Sequence, residues 1–279
     1  MKRVIIVLFI AIAMLSIVAC KNDGKSEGGL TGKITMSGST TVLPIAQACA
    51  EEFMNLNPNV DISVRGGGSS IGIKDIMNNS AQIGNASRDA KDKEIKKAAD
   101  TGINLYQNIV ANDGIAVIVN PVNQITNLTL QQIQDIYTGK LTNWNQLGGA
   151  DMKIVVVSRD TSSGTYEIFF KKALHKNKVK QGAIMVASNN AAVTAVKDSP
   201  GAISYAGLGY LNSNVKTVTV DNIKATVPNI VAGTYPISRK LNMYTNGEPT
   251  GLTKAFMEFI LSAEGQQLVE KQGFIKITN

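Results

Sequence analysis

Three times along the chain a short β-branched run gives way to a loop of serine, threonine and glycine and then to an amphipathic stretch. KITM (33–36) leads into SGSTTVLPIAQACAEEF, VDISV (60–64) into RGGGSSIGIKDIM, and MKIVVV (152–157) into SRDTSSGTYEIFF. In the first unit Val42, Ile45, Cys49 and Phe53 fall on one helical stripe, with Pro44 in the first turn and Ser39 or Thr40 as the expected cap. The second places Ile73, Ile76 and Met77 inward. In the third, Phe169, Ala173 and Leu174 form the buried stripe, Lys171 and Lys172 point outward, and Ser162 or Ser163 is the expected cap. A strand that feeds a helix, repeated, calls for an α/β architecture whose loops gather at the carboxyl ends of the strands.

Those loops have a chemistry of their own. A helix start leaves backbone N–H groups unpaired and carries partial positive charge, so hydroxyl-rich loops at helix starts, with Arg159 beside one of them, form walls for a small oxyanion. Nucleotide binding is disfavoured, because no Gly-Lys-Ser/Thr follows any of the loops and residues 66–72 miss the dinucleotide glycine spacing. The rest of the chain keeps alternating. IGNAS (83–87), INLYQNIV (103–110) and GIAVIVN (114–120) read as strands, and LTLQQIQDIYTG, AAVTAVKDS and LTKAFMEFILSAEGQQLVEKQ as helices.

The amino terminus obeys a different rule. Lys2 and Arg3 precede an apolar run that ends at Ile17-Val18-Ala19-Cys20, the pattern of a secretory signal peptide over residues 1–19 and too brief to prefer a spanning helix. A cysteine directly after such a site resembles the bacterial lipobox and makes Cys20 the candidate lipidation site. KNDGKSEGGLTGK (21–33) is polar and glycine-rich, so residues 20–32 are expected to act as a flexible tether between a lipid anchor and the folded body. Cys49, the remaining cysteine, lies on the apolar stripe and reads as core.

With 279 residues the chain has room for about two domains. Its formal charge of +7 falls to +5 without Lys2 and Arg3, a mild bias towards anionic partners. KDKEIKK (91–97) and KKALHKNKVK (171–180) read as solvated helix faces, so no nucleic-acid partner is expected. A serine hydrolase acting through Ser163 is the competing class. The sole histidine, His175, lies at the far end of the helix that starts near Ser163, and no Gly-x-Ser-x-Gly elbow surrounds the serine. Neither catalytic residues nor a metal site or cofactor are expected.

SGSTTVLP (37–44), RGGGSSIGI (65–73), NDGIAVIVNP (112–121), IYTGKLTNWNQLGG (136–149), SRDTSSGT (158–165), GAISYAGLGY (201–210) and YPISRKLNMYTNG (235–247) together resemble the substrate-binding lipoproteins of bacterial phosphate ABC transporters. The resemblance runs in order from about Lys33 to the end. It implies a type II periplasmic-binding-protein architecture, two Rossmann-like α/β lobes joined by two crossing strands with phosphate held between them. The crossings are expected near Asn108–Ala111 and Val231–Tyr235, which gives lobe 1 residues 33–110 and 236–279 and lobe 2 residues 111–235. Carried over by motif, the phosphate ligands are Ser39, Thr40, Ser69 and Ser87 from the first lobe and Arg159, Ser163, Gly164 and Thr165 from the second. The resemblance also implies a monomer that docks on transmembrane transporter subunits. Some family members have an aspartate where Ser87 aligns, a carboxylate that accepts the proton of monohydrogen phosphate. Asp89, Asp113 or Asp160 could substitute, and Asp113, in NDG at the expected crossing, is the candidate acceptor; its alternative roles are to orient Arg159 or to cap a turn. Without an identified acceptor, another oxyanion such as sulfate or molybdate, or a sensing role, remains open.

Overall fold

The computed structural model describes residues 29–277, so the signal-peptide segment, Cys20 and most of the tether lie outside the described residues. The first half of the chain runs β1 (Gly32–Gly38), α1 (Leu43–Leu56), β2 (Val60–Gly66), α2 (Ser69–Met77), β3 (Ile83–Ala86), α3 (Asp92–Ala99), β4 (Leu105–Val119), β5 (Asn127–Leu128) and α4 (Leu130–Thr138). It continues as β6 (Val155–Arg159), α5 (Gly164–Lys172), β7 (Ile184–Val186), α6 (Asn189–Lys197), β8 (Ala202–Gly207), β9 (Lys216–Val220), α7 (Val227–Val231), β10 (Ser238–Asn246), α8 (Gly251–Leu261) and α9 (Ala263–Lys271).

The main sheet path is β2-β1-β3-β10-β4-β8-β6-β7, with β9 pairing β4 and β5 beside it. The three strand-loop-helix units form, with Met77 half-buried rather than inward, and their strands β1, β2 and β6 all sit in parallel pairs. Val42, Ile45, Cys49 and Phe53 are buried under α1, and Phe169, Ala173 and Leu174 under α5. Two separate large cores result. One joins Ile34, Met36, Ile45 and Phe53 to Leu241, Met243, Phe256 and Phe274. The other gathers Ile115, Val117, Trp144, Phe169, Ile203, Tyr205 and Ile237.

β4 links these cores. Its first part pairs with β10, from Leu105 against Asn246 to Gly114 against Ser238, and from Ile115 onward it pairs with β8. The sequence reads two strands here, broken at NDG, and the structure corrects this to one. Asn112 exchanges backbone hydrogen bonds with Ile275 (2.8 and 3.0 Å), and Asp113 and Gly114 stay in register with β10, so the backbone polar groups are satisfied only if the strand continues. The return passage also differs. Val227–Val231 is a short helix, and the chain rejoins the sheet at Ile237–Leu241 rather than at Val231–Tyr235. The long carboxyl-terminal helix read from the sequence is two helices, because Ser262 leaves α8 with ψ 167° and its Oγ accepts from Gly265 N at 3.2 Å as the cap of α9.

Candidate functional site

The starts of α2 and α5 and the turn before α1 meet between the two cores. α5 begins as its sequence demands, with Ser163 Oγ accepting from Tyr166 N at 3.2 Å. α1 does not, for its N-cap is Val42 without a side-chain bond; Ser39 instead closes the preceding turn, its carbonyl accepting from Leu43 N and its Oγ from Thr41 N, both at 3.1 Å. α2 starts after Gly68 at φ 107°, a conformation that favours glycine, and a Cβ there would lie 2.4 Å from Ser162 Oγ on the facing wall. The two walls touch directly. Ser70 N donates to Ser162 O (3.1 Å), Ser162 Oγ to Gly67 O (3.2 Å), and Lys91 pairs with Glu167 at 2.6 Å on the rim.

Inside the rim the expected ligand residues come together. Ser69 Oγ accepts from Ser87 N at 3.0 Å and lies 3.3 Å from Ser87 Oγ. Gly164 crosses the gap to reach them, so closely that a Cβ would fall 2.2 Å from Ser69 Oγ and 2.7 Å from Ser87 Oγ. Thr40 Oγ1 accepts from Arg159 Nη2 at 3.1 Å and its carbonyl accepts from Tyr210 OH. Ser39, Ser69, Ser87, Ser163 and Thr165 are all at least 98% removed from solvent. The convergence of the loops is therefore a property of the fold.

Arg159 is 1% exposed. Its Nε donates to Val186 O (3.2 Å) and its Nη2 to Ala187 O (2.9 Å) and Thr40 Oγ1, whereas Nη1 is buried with no protein partner. Burial pushes this guanidinium below its ordinary value; the Asp160 carboxylate opposes that shift, and the more weakly felt charge of Arg239 adds to it. A buried cation with an unmatched donor and a second cation nearby is stabilised by an anion.

Arg239 is the residue that the sequence reading missed, although YPISRKLNMYTNG contains it. It stands opposite Asp113 in the β10–β4 register and pairs with it, Nη2 at 2.7 Å and Nε at 2.9 Å from Oδ2. The burial of the guanidinium gave no signal in composition; the available signal was an arginine and an aspartate, Arg239 and Asp113, each a few residues beyond an expected crossing, because a buried arginine is nearly always paired. Asp113 consequently does not orient Arg159. Its Oδ1 accepts from Leu208 N (3.0 Å) and its Oδ2 is held by Arg239, so both oxygens are engaged within the protein. Burial pushes the Asp113 carboxyl up, and the guanidinium of Arg239 opposes that shift. Asp89 Oδ1 is engaged by Gln107 and Asn242, and Asp160 Oδ1 by Ser162 N and Oγ. Thr41 and Asn189, also unforeseen, join the centre. Asn189 Nδ2 donates to Thr41 Oγ1 (3.0 Å), which lies 3.0 Å from Thr165 Oγ1.

Two α/β cores bridged by β4 and the start of β10, with hydroxyl-lined helix starts closing on a buried guanidinium, define a periplasmic-binding-protein-like II fold built around an oxyanion site. The comparisons with known proteins agree. A PBP superfamily domain model matches residues 23–264. The chain is 36% identical over 290 aligned residues to the phosphate-binding protein PstS of Bacillus subtilis, covering 100% of this chain and 95% of that one. To PstS of Borreliella burgdorferi it is 32% identical, with 99% of each chain covered. A crystal structure of a putative phosphate ABC transporter substrate-binding protein with bound phosphate, from Clostridium perfringens, superposes with a TM-score of 0.83 at 38% identity, covering 88% of this chain and all of that one. The chain belongs to the PstS family of phosphate ABC-transporter substrate-binding proteins.

Proposed function

We propose that this protein captures inorganic phosphate outside the cytoplasm, between a lobe formed by residues 33–110 with 236–279 and a lobe formed by 111–235, and hands it to the transmembrane subunits of an ABC transporter. The observation that carries this reading is the buried, unpartnered Nη1 of Arg159 among the helix-start hydroxyls. Phosphate oxygens would take the Nη1 hydrogens, the Ser69, Ser87, Ser163 and Thr165 hydroxyls and the free N–H groups of α2 and α5. Charge-assisted hydrogen bonds contribute roughly 1.5–3 kcal/mol each, so a few exceed the roughly 8 kcal/mol of micromolar binding even after association costs of about 4–15 kcal/mol. The B. subtilis relative is named for phosphate binding and the C. perfringens structure for its bound phosphate, which supports the same ligand here.

The reading extends to a monomer tethered to the extracytoplasmic face of the bacterial cell membrane by a lipid on Cys20, acting without catalysis. Titration calorimetry against phosphate, sulfate and molybdate is the test, with incubation against phosphate esters as a control for turnover. Submicromolar to micromolar phosphate binding is expected. Absence of phosphate binding in a folded protein would refute the proposal. One observation favours a wider ligand range: both oxygens of Asp113 are engaged by Arg239 and the Leu208 amide, which weakens its claim to be the carboxylate that discriminates against sulfate. Comparable sulfate affinity in the same titration would identify the protein as a general oxyanion carrier.

A further inference from the structure

Arg159 and Arg239 are equally hidden yet differ in what their donors do. A guanidinium has N–H donors on three nitrogens and no acceptor. Arg239 engages all three within the protein: Nε donates to Asp113 Oδ2, Nη2 lies 2.7 Å from the same oxygen and donates to Thr41 Oγ1 (3.3 Å), and Nη1 donates to Thr165 Oγ1 (2.9 Å) and Ser87 O (3.3 Å). It has nothing left for a ligand. It does, however, decide where hydroxyl protons can go. A threonine hydroxyl offers one proton and two lone pairs. Both lone pairs of Thr41 Oγ1 are taken, by Asn189 Nδ2 and by Arg239 Nη2, and the orientation of the Asn189 amide is fixed because its Oδ1 accepts from Gly207 N. Thr41 must then be the donor in its 3.0 Å contact with Thr165 Oγ1. Thr165 Oγ1, accepting from Thr41 and from Arg239, has its lone pairs filled in turn, and its own proton must leave the protein network.

We propose that Arg239, held by Asp113, is a positioning residue that fixes the direction of a Thr41-to-Thr165 hydroxyl relay and so makes Thr165 an obligate hydrogen-bond donor to an ionised oxygen of the bound phosphate. The proposal rests on the phosphate reading above and deepens it. A protonated ligand oxygen would find no acceptor for its proton at Thr165, which favours an ionised oxygen there and orients a partly protonated phosphate in the cleft.

The test is a coupling cycle read by calorimetric titration with inorganic phosphate, with thermal unfolding as the control for folding. Thr165→Val is expected to weaken phosphate binding about tenfold. The neutral pair exchange Asp113→Asn with Arg239→Met, which avoids stranding one buried charge, is expected to cause a similar loss. Because Arg239 acts through Thr165, the losses should not multiply: the triple variant should stay within about threefold of the weaker parent. Multiplying losses, or unchanged affinity in the neutral pair variant, would overturn the proposal while leaving phosphate capture intact. Should the pair variant fail to fold, Thr41→Val replaces it, removing the hydrogen bond that Thr165 receives; it must show the same non-additivity with Thr165→Val, and multiplying losses there overturn the relay equally. A wild-type protein that does not bind phosphate would overturn both proposals together.

Discussion

Replacing Arg159 by methionine isolates the unmatched cation. Methionine keeps an apolar stem of similar reach, so the β6 strand end stays packed while the guanidinium is lost. In the native protein Nε and Nη2 are engaged with Val186 O, Ala187 O and Thr40 Oγ1, and only Nη1 is without a protein partner. Its hydrogens can make two bonds to a phosphate, at roughly 1.5–3 kcal/mol each. Loss of the repulsion from Arg239 and of the cost of burying an unpaired donor offsets part of this in the variant, which brings the expected loss to about 2–5 kcal/mol, or roughly thirty- to four-thousand-fold in Kd. The assay is calorimetric titration of phosphate at fixed ionic strength, with circular dichroism to show that the variant is folded. The unliganded variant should melt no lower than wild type by more than about 1–3 kcal/mol of stability, because carbonyl acceptors lose their donors while a buried charge disappears. A folded variant whose phosphate Kd stays within about threefold of wild type would show that Arg159 is not the cation that meets the ligand.

Gly164→Ala should push the two walls apart, since its Cβ would fall 2.2 Å from Ser69 Oγ; a loss of about 1–3 kcal/mol in phosphate affinity is expected, with less compaction on ligand addition by small-angle scattering. Cys49 is fully buried and burial pushes its thiol up to about 12, so thiol reagents near neutral pH should label it only in denaturant. Burial pushes Glu94 and Glu167 up, but their partners more than reverse this, Arg88 and Lys91 for the first and Lys91 with Lys171 for the second, leaving both carboxyls below the ordinary value of 4.5. A depressed folded value stabilises the fold above the unfolded value, so this contribution should be intact at neutral pH and fade as the pH falls below about 4.5, with the Lys91–Glu167 rim contact weakening as well; thermal unfolding across that range, compared with Glu94→Gln, measures it.

Local chemistry was legible in the sequence, and long-range pairing was not. The stripes under α1 and α5 and a cap at Ser162 or Ser163 follow from periodicity and loop composition, whereas Ser69, Ser87, Gly164 and Thr165 were named together by the family resemblance. The merging of two expected strands into β4 depended on partners far along the chain, for example Arg239 opposite Asp113, and no local rule sees those. The break at Ser262 is the reverse case. Apolar periodicity runs through it, yet a serine that can cap α9 ends α8, and pattern alone weighed the periodicity above the cap. Arg239 was passed over because its neighbours Ser238 and Lys240 give the stretch a polar look, while alternation along β10 buries Arg239 between a half-buried and an exposed residue.

The position of the Asp113–Arg239 pair bears on how the cleft can open. β4 changes partner between Gly114 and Ile115, from β10 on one side to β8 on the other, and Asp113 and Arg239 stand one residue before that change. Both belong to the strands that carry the chain between the two cores, so a rotation of one core against the other can proceed while their 2.7 Å contact persists. The contacts that opening must break lie further out: Thr41 with Thr165, Arg159 with Thr40, Ser162 with Gly67 and Lys91 with Glu167. Apart from the rim ion pair, these are hydrogen bonds of hydroxyl, carbonyl and guanidinium groups that water can replace at little net cost, about 0.5–1.5 kcal/mol each. Summed, these contacts favour the closed arrangement by a few kcal/mol, and an anion that takes the free Nη1 of Arg159 adds to what opening must break.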